Sequence, residues 1–127
     1  LNCGYVPVIS PIGMGESGES YNINADDVAA EIAGALHAEK LLLLTDVEGV
    51  YRDFADRSSL ISQLHFAQAR EYIRSGIIAG GMIPKVEACL RALEAGAHKT
   101  HIVDGRLAHS IILEIFTSHG IGTMVLP

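Results

Sequence analysis

A glycine pair followed closely by a proline and a lysine is the clearest candidate for chemistry in this sequence. Gly80 and Gly81 precede a predicted helix, and Pro84 has the fixed φ that suits a first helical turn. Backbone amides exposed at such a helix start form an anion site. Lys85 follows in the same turn, where a cation opposes the helix dipole at a cost of some tenths of a kcal/mol, up to about 1. A bound phosphate would remove this conflict, and a solvated lysine that tolerates it is the alternative.

The start of another predicted helix is richer in short polar side chains than a helix cap requires. Residues 22–27 (NINADD) include two asparagines and two aspartates. Capping, for which Asn24 is well placed, accounts for one asparagine and one aspartate. The remaining polar residues are a candidate ligand site, although such residues also gather in ordinary loops.

A third candidate is the segment 45–51 (TDVEGVY), which directly follows a predicted buried strand. Ligands of open α/β sheets bind beyond the carboxyl ends of the strands, and this polar turn occupies such a position. An ordinary strand-to-loop turn is the alternative.

Other patterns are weaker. The spacing of Gly13, Gly15 and Gly18 matches a dinucleotide fingerprint, but that fingerprint needs a helix to open at once, and six residues intervene here. We therefore predict a loop without a dinucleotide site. His98 and His101 have no third ligand nearby in the sequence, so we predict no metal site. No motif of a nucleophilic hydrolase is present.

Composition limits the partners of the chain. Its 127 residues carry a net charge of −6, and the basic residues are scattered, which argues against a nucleic-acid-binding surface. No signal peptide and no apolar run long enough to span a bilayer is visible. Cys3 and Cys89 form no disulfide framework, so we expect a soluble protein of the reducing cytoplasm. Because the sequence begins at Leu1 and soon enters an apolar, strand-like segment, we expect a fragment.

The elements that must position these residues alternate between strand and helix. Hydrophobic periodicity predicts the helices, and short apolar runs predict the strands. The alternation predicts an α/β fold that forms a single domain over 1–127, with a mainly parallel sheet between helices. Predicted strands are 5–10, 40–45, 100–103 and 123–126; predicted helices are 26–38, 66–75, 83–95 and 110–117; and 11–24 is a loop or a small hairpin at a sheet edge.

Taken in order, these segments resemble the C-terminal, nucleotide-binding portion of the amino-acid kinase family members that phosphorylate N-acetyl-L-glutamate. The resemblance implies a three-layer α/β/α fold, incomplete at the N-terminus. It implies transfer of the ATP γ-phosphoryl group to the side-chain carboxylate of N-acetyl-L-glutamate, a step of arginine biosynthesis. Catalysis would consist of positioning and charge neutralisation, with Mg²⁺ carried mainly by the nucleotide phosphates. The likeness covers essentially the whole chain, in the segments VPVISPIG, YNINADDVAAEIA, LLLLTDVEGVY, GIIAGGMIPKVEACLRALEAGA, HIVDGR and ILEIFTSHGIGTMV.

The resemblance also implies roles for single residues. Lys85 matches a lysine that stabilises charge on the nucleotide side, and Asp26 matches an aspartate that orients the catalytic lysines. Asn22 matches an asparagine that contacts the acetylated substrate, and Asn24 is assigned to the same substrate site. The adenosine pocket and the loop that closes over the nucleotide correspond to Thr45, Asp46, Gly80, Gly81 and Met82.

The C-terminal segment is similar to that of arginine-inhibited members, in which residues matching His101, Glu114 and Gly120 line the effector pocket. Those members complete the pocket with an N-terminal helix that this sequence does not contain. Some relatives also bind a nitrogen-signalling protein. We expect a homo-oligomer, because an open sheet edge and an uncovered apolar face promote self-association.

The sequence departs from the family pattern at its beginning. The family's first strand carries a lysine-glycine-glycine phosphate loop, and neither that loop nor the glycines that hold the acetylated amino acid are present. We therefore expect very low activity from this chain alone, because positioned catalytic groups act as a unit. The alternatives are a non-catalytic nucleotide-binding or oligomerisation fragment, and a family member that acts on another carboxylate, a carbamate or a nucleotide.

Overall fold

Six strands and four helices make up the computed structural model, which describes residues 3–127. None of the helices in this part of the chain is long and apolar enough to cross a membrane. The strands are β1 (Ile12–Met14), β2 (Ser20–Asn22), β3 (Leu41–Thr45), β4 (Gln63–His65), β5 (Thr100–Asp104) and β6 (Thr123–Leu126), and the helices are α1 (Ala25–Ala35), α2 (Phe66–Ser75), α3 (Met82–Glu94) and α4 (Ser110–Phe116).

The central sheet has the strand order β3-β5-β6-β4. β3 runs parallel to β5, with Leu43 opposite Ile102, and β4 runs parallel to β6, with Leu64 opposite Val125. β5 and β6 are antiparallel. Two of the three pairings are thus parallel, which confirms the predicted mainly parallel sheet.

Helices cover both faces of this sheet. α1 and α3 pack against β3 and β5, α2 packs against α3 and β4, and α4 lies against β5. Successive residues of β5 serve the two sides: Ile102 belongs to the hydrophobic core, while the side chain of His101 contacts Glu114 of α4. The three-layer α/β/α architecture is confirmed.

The packing of α1 against α3 is close and has a local sequence origin. α1 begins at the predicted cap, where the Asn24 side chain accepts hydrogen bonds from the amides of Asp26 (2.9 Å) and Asp27 (3.3 Å). At the other end of α1, a Cβ atom added to Gly34 would overlap the Cβ of Ala95, so only glycine permits this approach. The C-terminal ends of the two helices are therefore in direct contact.

Two expectations about strands are wrong. Residues 5–10 form no strand, and Val6 and Val8 are 87% and 96% exposed. Among residues 3–127 no strand pairs with this segment, and β-rich residues become a strand only when a neighbour takes their backbone hydrogen bonds. Conversely, β4 was not predicted, because three residues with one buried side chain are too few to show alternation. Residues 11–24 contain the hairpin of β1 and β2, which forms its own two-stranded sheet.

The long loop 46–60 is attached to the sheet through one hydroxyl group. Thr123, fully buried at the start of β6, accepts a hydrogen bond from the amide of Val50 (2.8 Å) and donates one to the carbonyl of Ile61 (2.7 Å). A Cβ atom on Gly49 would meet the same hydroxyl, so glycine is needed for the loop to approach it. One side chain of the last strand thus holds the loop at Val50 and the chain directly after it at Ile61.

Thr123→Val should lower the free energy of unfolding by about 2 kcal/mol, because it leaves a buried amide and a buried carbonyl without a partner. Urea denaturation followed by circular dichroism measures this loss. Thr123→Ser keeps the hydroxyl and should lose less than half as much. Equal losses in the two variants would show that the methyl group, and not the hydrogen bonds, stabilises the loop.

Candidate functional site

Lys85 and Asp26 meet at the amino ends of their helices. Lys85 Nζ lies 3.1 Å from Asp26 Oδ2, and the two side chains are 26% and 24% exposed. Asp26 is in the first turn of α1, where the helix dipole favours a negative charge. Lys85 lies in the first turns of α3, where the dipole disfavours its own charge. The carboxylate therefore compensates the lysine, and the lysine is directed towards the beginning of both helices.

A cavity of about 440 Å³ lies beside this ion pair. Its walls are mainly apolar, and its charged lining residues are Asp46 and Lys85. One wall comes from the loop after β3, and the other comes from the segment that leads into α3. The lining residues are Asp46, Val47, Gly49, Val50, Tyr51, Phe54, Ile77, Ile78, Ala79, Gly81, Met82 and Lys85.

The nucleotide-site candidates are divided between the cavity and its border. Asp46, Gly81 and Met82 line the cavity, whereas Thr45 and Gly80 are their chain neighbours. The Thr45 hydroxyl donates to the carbonyl of Val47 (2.8 Å) and accepts from its amide (3.0 Å), which turns the chain sharply after β3. This turn brings Asp46 to the carboxyl end of the strand, as the sequence predicts.

The expectation of exposed amides at the start of α3 is wrong for two of them. The amide of Met82 donates to the carbonyl of Ala79 (3.3 Å), and that of Ile83 donates to Gly80 (3.2 Å). Pro84 has no N–H group at all. Two amides of this helix start are therefore already engaged, and the ammonium of Lys85 is the charged group beside them.

A second carboxylate lies near the same strand ends. Asp104, the last residue of β5, is opposite Thr45 in the register of the parallel pair. The Arg106 guanidinium binds both carboxylate oxygens (2.9 and 2.8 Å), and these hydrogen bonds lower the pKa of Asp104 to about 2. This carboxylate remains charged and paired at neutral pH. Sequence reasoning did not single out Asp104, although it stands in a strand-end position comparable to that of Asp46.

The two asparagines assigned to substrate differ in their surroundings. The Asn24 side-chain oxygen is engaged in capping α1. Asn22 is the exposed last residue of β2, and its backbone lies opposite Ile12 in the hairpin. Both therefore stand at the entrance to α1, two and four residues before Asp26.

Eight of the twelve cavity residues were not assigned a role from the sequence, and four of these eight have large side chains. Tyr51 and Phe54 lie in the loop after β3, and Ile77 and Ile78 lie in the segment before Gly80. Tyr51 ends the polar segment 45–51, but apolar residues in a loop give no functional signal by themselves. The isoleucine pair before two glycines was the available hint, since apolar side chains seldom stand in exposed turns without a surface to cover.

The effector candidates share a second cavity of about 360 Å³ on the side of α4. His101 Nδ1 lies 2.7 Å from Glu114 Oε1, and the two side chains are 5% and 4% exposed. The other carboxylate oxygen accepts hydrogen bonds from the amides of Ile121 (2.7 Å) and Gly122 (2.9 Å). His101 Nε2 is buried and has no hydrogen-bond partner in residues 3–127. Gly120 also lines this cavity.

Neither metal binding nor thiol chemistry is indicated by the arrangement of side chains. Between Cys3 and Pro127 no three His, Cys, Asp or Glu side chains gather in a group that could hold a metal ion. Cys89 is buried one turn after Lys85 in α3, and burial raises the pKa of its thiol to about 11. The thiol therefore stays protonated at neutral pH and is a packing group.

Comparison with known proteins gives consistent results. The model of a family described as the amino acid kinase family matches residues 1–104. A protein of Moorella thermoacetica named acetylglutamate kinase is 63% identical over 124 residues, which are 98% of this chain and 42% of that protein. A protein of the same name from Heliobacterium modesticaldum is 62% identical over 123 residues, again 42% of its length. The chain thus spans about two-fifths of these relatives.

Among solved structures, N-acetylglutamate synthase from Neisseria gonorrhoeae, complexed with coenzyme A and L-arginine, superimposes with a TM-score of 0.88 at 29% identity. The match covers 99% of this chain and 28% of that one. The likeness therefore extends over nearly all of the chain described above.

Proposed function

This chain belongs to the amino acid kinase family, and from that membership we propose that it supplies the nucleotide-binding part of an enzyme that transfers the ATP γ-phosphoryl group to N-acetyl-L-glutamate. The observation that supports this proposal most directly is the 3.1 Å ion pair of Lys85 and Asp26 beside an apolar cavity. An apolar cavity with a cation at one end suits a ligand that has a flat base and a charged tail.

In this proposal different residues of the cavity contact the adenosine and the phosphates. The apolar wall of Val47, Ile78 and Met82 receives the adenosine, and Asp46 offers a hydrogen-bond acceptor at its border. Lys85 approaches the phosphates and neutralises the charge that spreads over them during transfer. Asp26 holds the lysine in position, so that little reorganisation is needed when the phosphates arrive. Mg²⁺ enters with the nucleotide phosphates, on which it supplies charge neutralisation.

Removal of the ammonium tests the nucleotide site. Lys85→Ala should weaken the binding of a non-hydrolysable Mg-ATP analogue about tenfold or more, the loss expected for one charge-assisted hydrogen bond. Isothermal titration calorimetry on the chain measures the affinity.

The matched control is Arg74→Ala, which removes a positive charge from the exposed last turn of α2, away from the cavity. Its affinity for the analogue should equal that of the unaltered chain. If both variants bind equally well, or if the unaltered chain binds no nucleotide, the proposed nucleotide site is refuted.

The acceptor is the second part of the proposal. Its support is the name shared by the bacterial relatives and the polar entrance to α1, where Asn22 and Asn24 stand close in sequence to Asp26. A carboxylate acceptor must come near the lysine, because the transferred phosphoryl group lies between donor and acceptor. The entrance to α1 is next to the ion pair and is therefore a suitable place for it.

Turnover tests the acceptor when this chain is joined to the part of the Moorella thermoacetica relative that it does not cover. We expect ADP release with N-acetyl-L-glutamate to exceed that with glutamate or aspartate. Lys85→Ala should lower kcat by about 100-fold, as for the loss of one group that stabilises the transition state. Preference for another acceptor would favour a different member of the family. Nucleotide binding without turnover would favour the alternative of a non-catalytic binding or oligomerisation fragment.

We further propose that the cavity of His101 and Glu114 binds arginine as an effector. Buried Glu114 is an anion that a guanidinium can approach, and His101 Nε2 is a buried nitrogen that lacks a partner within the chain described. The structurally similar N-acetylglutamate synthase is complexed with L-arginine. Gly120, whose added Cβ would press on the Glu114 carboxylate, keeps that carboxylate free of crowding.

L-Arginine at millimolar concentration should raise the Tm of the chain, whereas L-citrulline, which has nearly the same shape but an uncharged side chain, should leave it unchanged. Differential scanning fluorimetry measures both. An equal effect of the two ligands, or no effect of arginine, contradicts this part of the proposal and leaves the nucleotide site untouched.

A further inference from the structure

An exposed aromatic ring stands at the border of the nucleotide cavity. Phe54 lines the cavity and is nevertheless 63% exposed. Its ring meets Tyr51 edge to face, with centroids 5.8 Å apart and planes at 85°. Tyr51 is only 5% exposed and forms the deeper part of the same wall. The two rings thus continue one aromatic surface from the interior to the mouth of the cavity.

The backbone around Phe54 is held firmly by side-chain hydrogen bonds. The Asp53 carboxylate accepts from the amide of Ala55 (2.9 Å). The Ser59 hydroxyl contacts the carbonyls of Asp53 (2.8 Å) and Asp56 (2.7 Å). These bonds lie on both sides of the phenylalanine and fix the turn from which its ring projects. Phe54 is therefore exposed on a turn whose backbone is fixed by hydrogen bonds.

Arg57 contacts both rings. Its guanidinium carbon lies 5.0 Å from the centroid of Phe54 and 5.3 Å from that of Tyr51, within the range of cation–π attraction. The same arginine is 3.9 Å from Glu48, whose carboxylate also receives the hydroxyl of Tyr51. A cation, an anion and two rings therefore support one another, while most of the Phe54 surface remains uncovered.

We propose that Phe54 is the stacking surface for the nucleobase and that Arg57 is the residue that positions it. This inference rests on the nucleotide site proposed above and assigns recognition of the base to the loop 46–60. Stacking on an aromatic ring binds the flat face of a base and requires no hydrogen-bond pattern. The phosphates, by contrast, depend on Lys85. The aromatic stacking contact and the cationic phosphate contact therefore come from opposite walls of the cavity.

The proposal predicts different results for two ligands that both carry three linked phosphates, only one of which has a base. Phe54→Ala should weaken binding of the Mg-ATP analogue about tenfold and leave binding of Mg-tripolyphosphate, which has no base, unchanged. Lys85→Ala should weaken both. Phe54→Tyr keeps the ring and should bind the analogue as the unaltered chain does. Phe116→Ala is the matched control, because Phe116 is 79% exposed and lies outside the cavity.

Arg57 provides the test of positioning. Arg57→Ala should weaken binding of the Mg-ATP analogue several-fold without affecting binding of Mg-tripolyphosphate. Arg57→Lys keeps a cation near the rings and should retain most of the affinity for the analogue. Calorimetry gives each affinity.

The inference is overturned if Phe54→Ala binds the analogue normally while Lys85→Ala does not, a result that leaves the nucleotide site intact. It is also overturned if Phe54→Ala weakens tripolyphosphate as much as the analogue. Absence of nucleotide binding in the unaltered chain would instead remove the proposed function itself.

Discussion

The parallel packing of α1 and α3 is the constraint on which the rest of this structure depends. Their amino ends are joined by the ion pair of Asp26 and Lys85, and their carboxyl ends touch where Gly34 meets Ala95. Arg91 adds a second ion pair between the helices, to Asp27. Because both ends are matched, the two helices cannot slide along each other, and the polar starts of both helices stay on the same side of the sheet.

This alignment determines where a ligand can be held. The amino end of α3 supplies one wall of the cavity, and the loop after β3 supplies the other. The second wall has little regular structure, and its shape comes from side-chain hydrogen bonds within the loop and from Thr123. A rigid helix pair on one side and a hydrogen-bonded loop on the other thus produce a cavity whose apolar interior is adjacent to a cation.

Local patterns predicted the helices well, because apolar spacing and the Asn24 cap are written in neighbouring residues. They also led to Lys85, whose conflict with its helix dipole is visible in the sequence. That Asp26 is the ion-pair partner of Lys85 could not be derived from residue patterns, since the two residues are far apart along the chain. The family resemblance implied it. The short strand β4, the exposed course of residues 5–10 and the aromatic wall at Tyr51 and Phe54 depend on neighbours that only the folded chain brings together.

The hydroxyl of Thr123 has a consequence for the order in which parts of the molecule can open. No residue of β6 lines the cavity, yet the amide of Val50 in the cavity wall is bonded to this strand. The wall is therefore attached to the sheet at Val50, and the amide of this residue should exchange with solvent as slowly as those of the strands beside it.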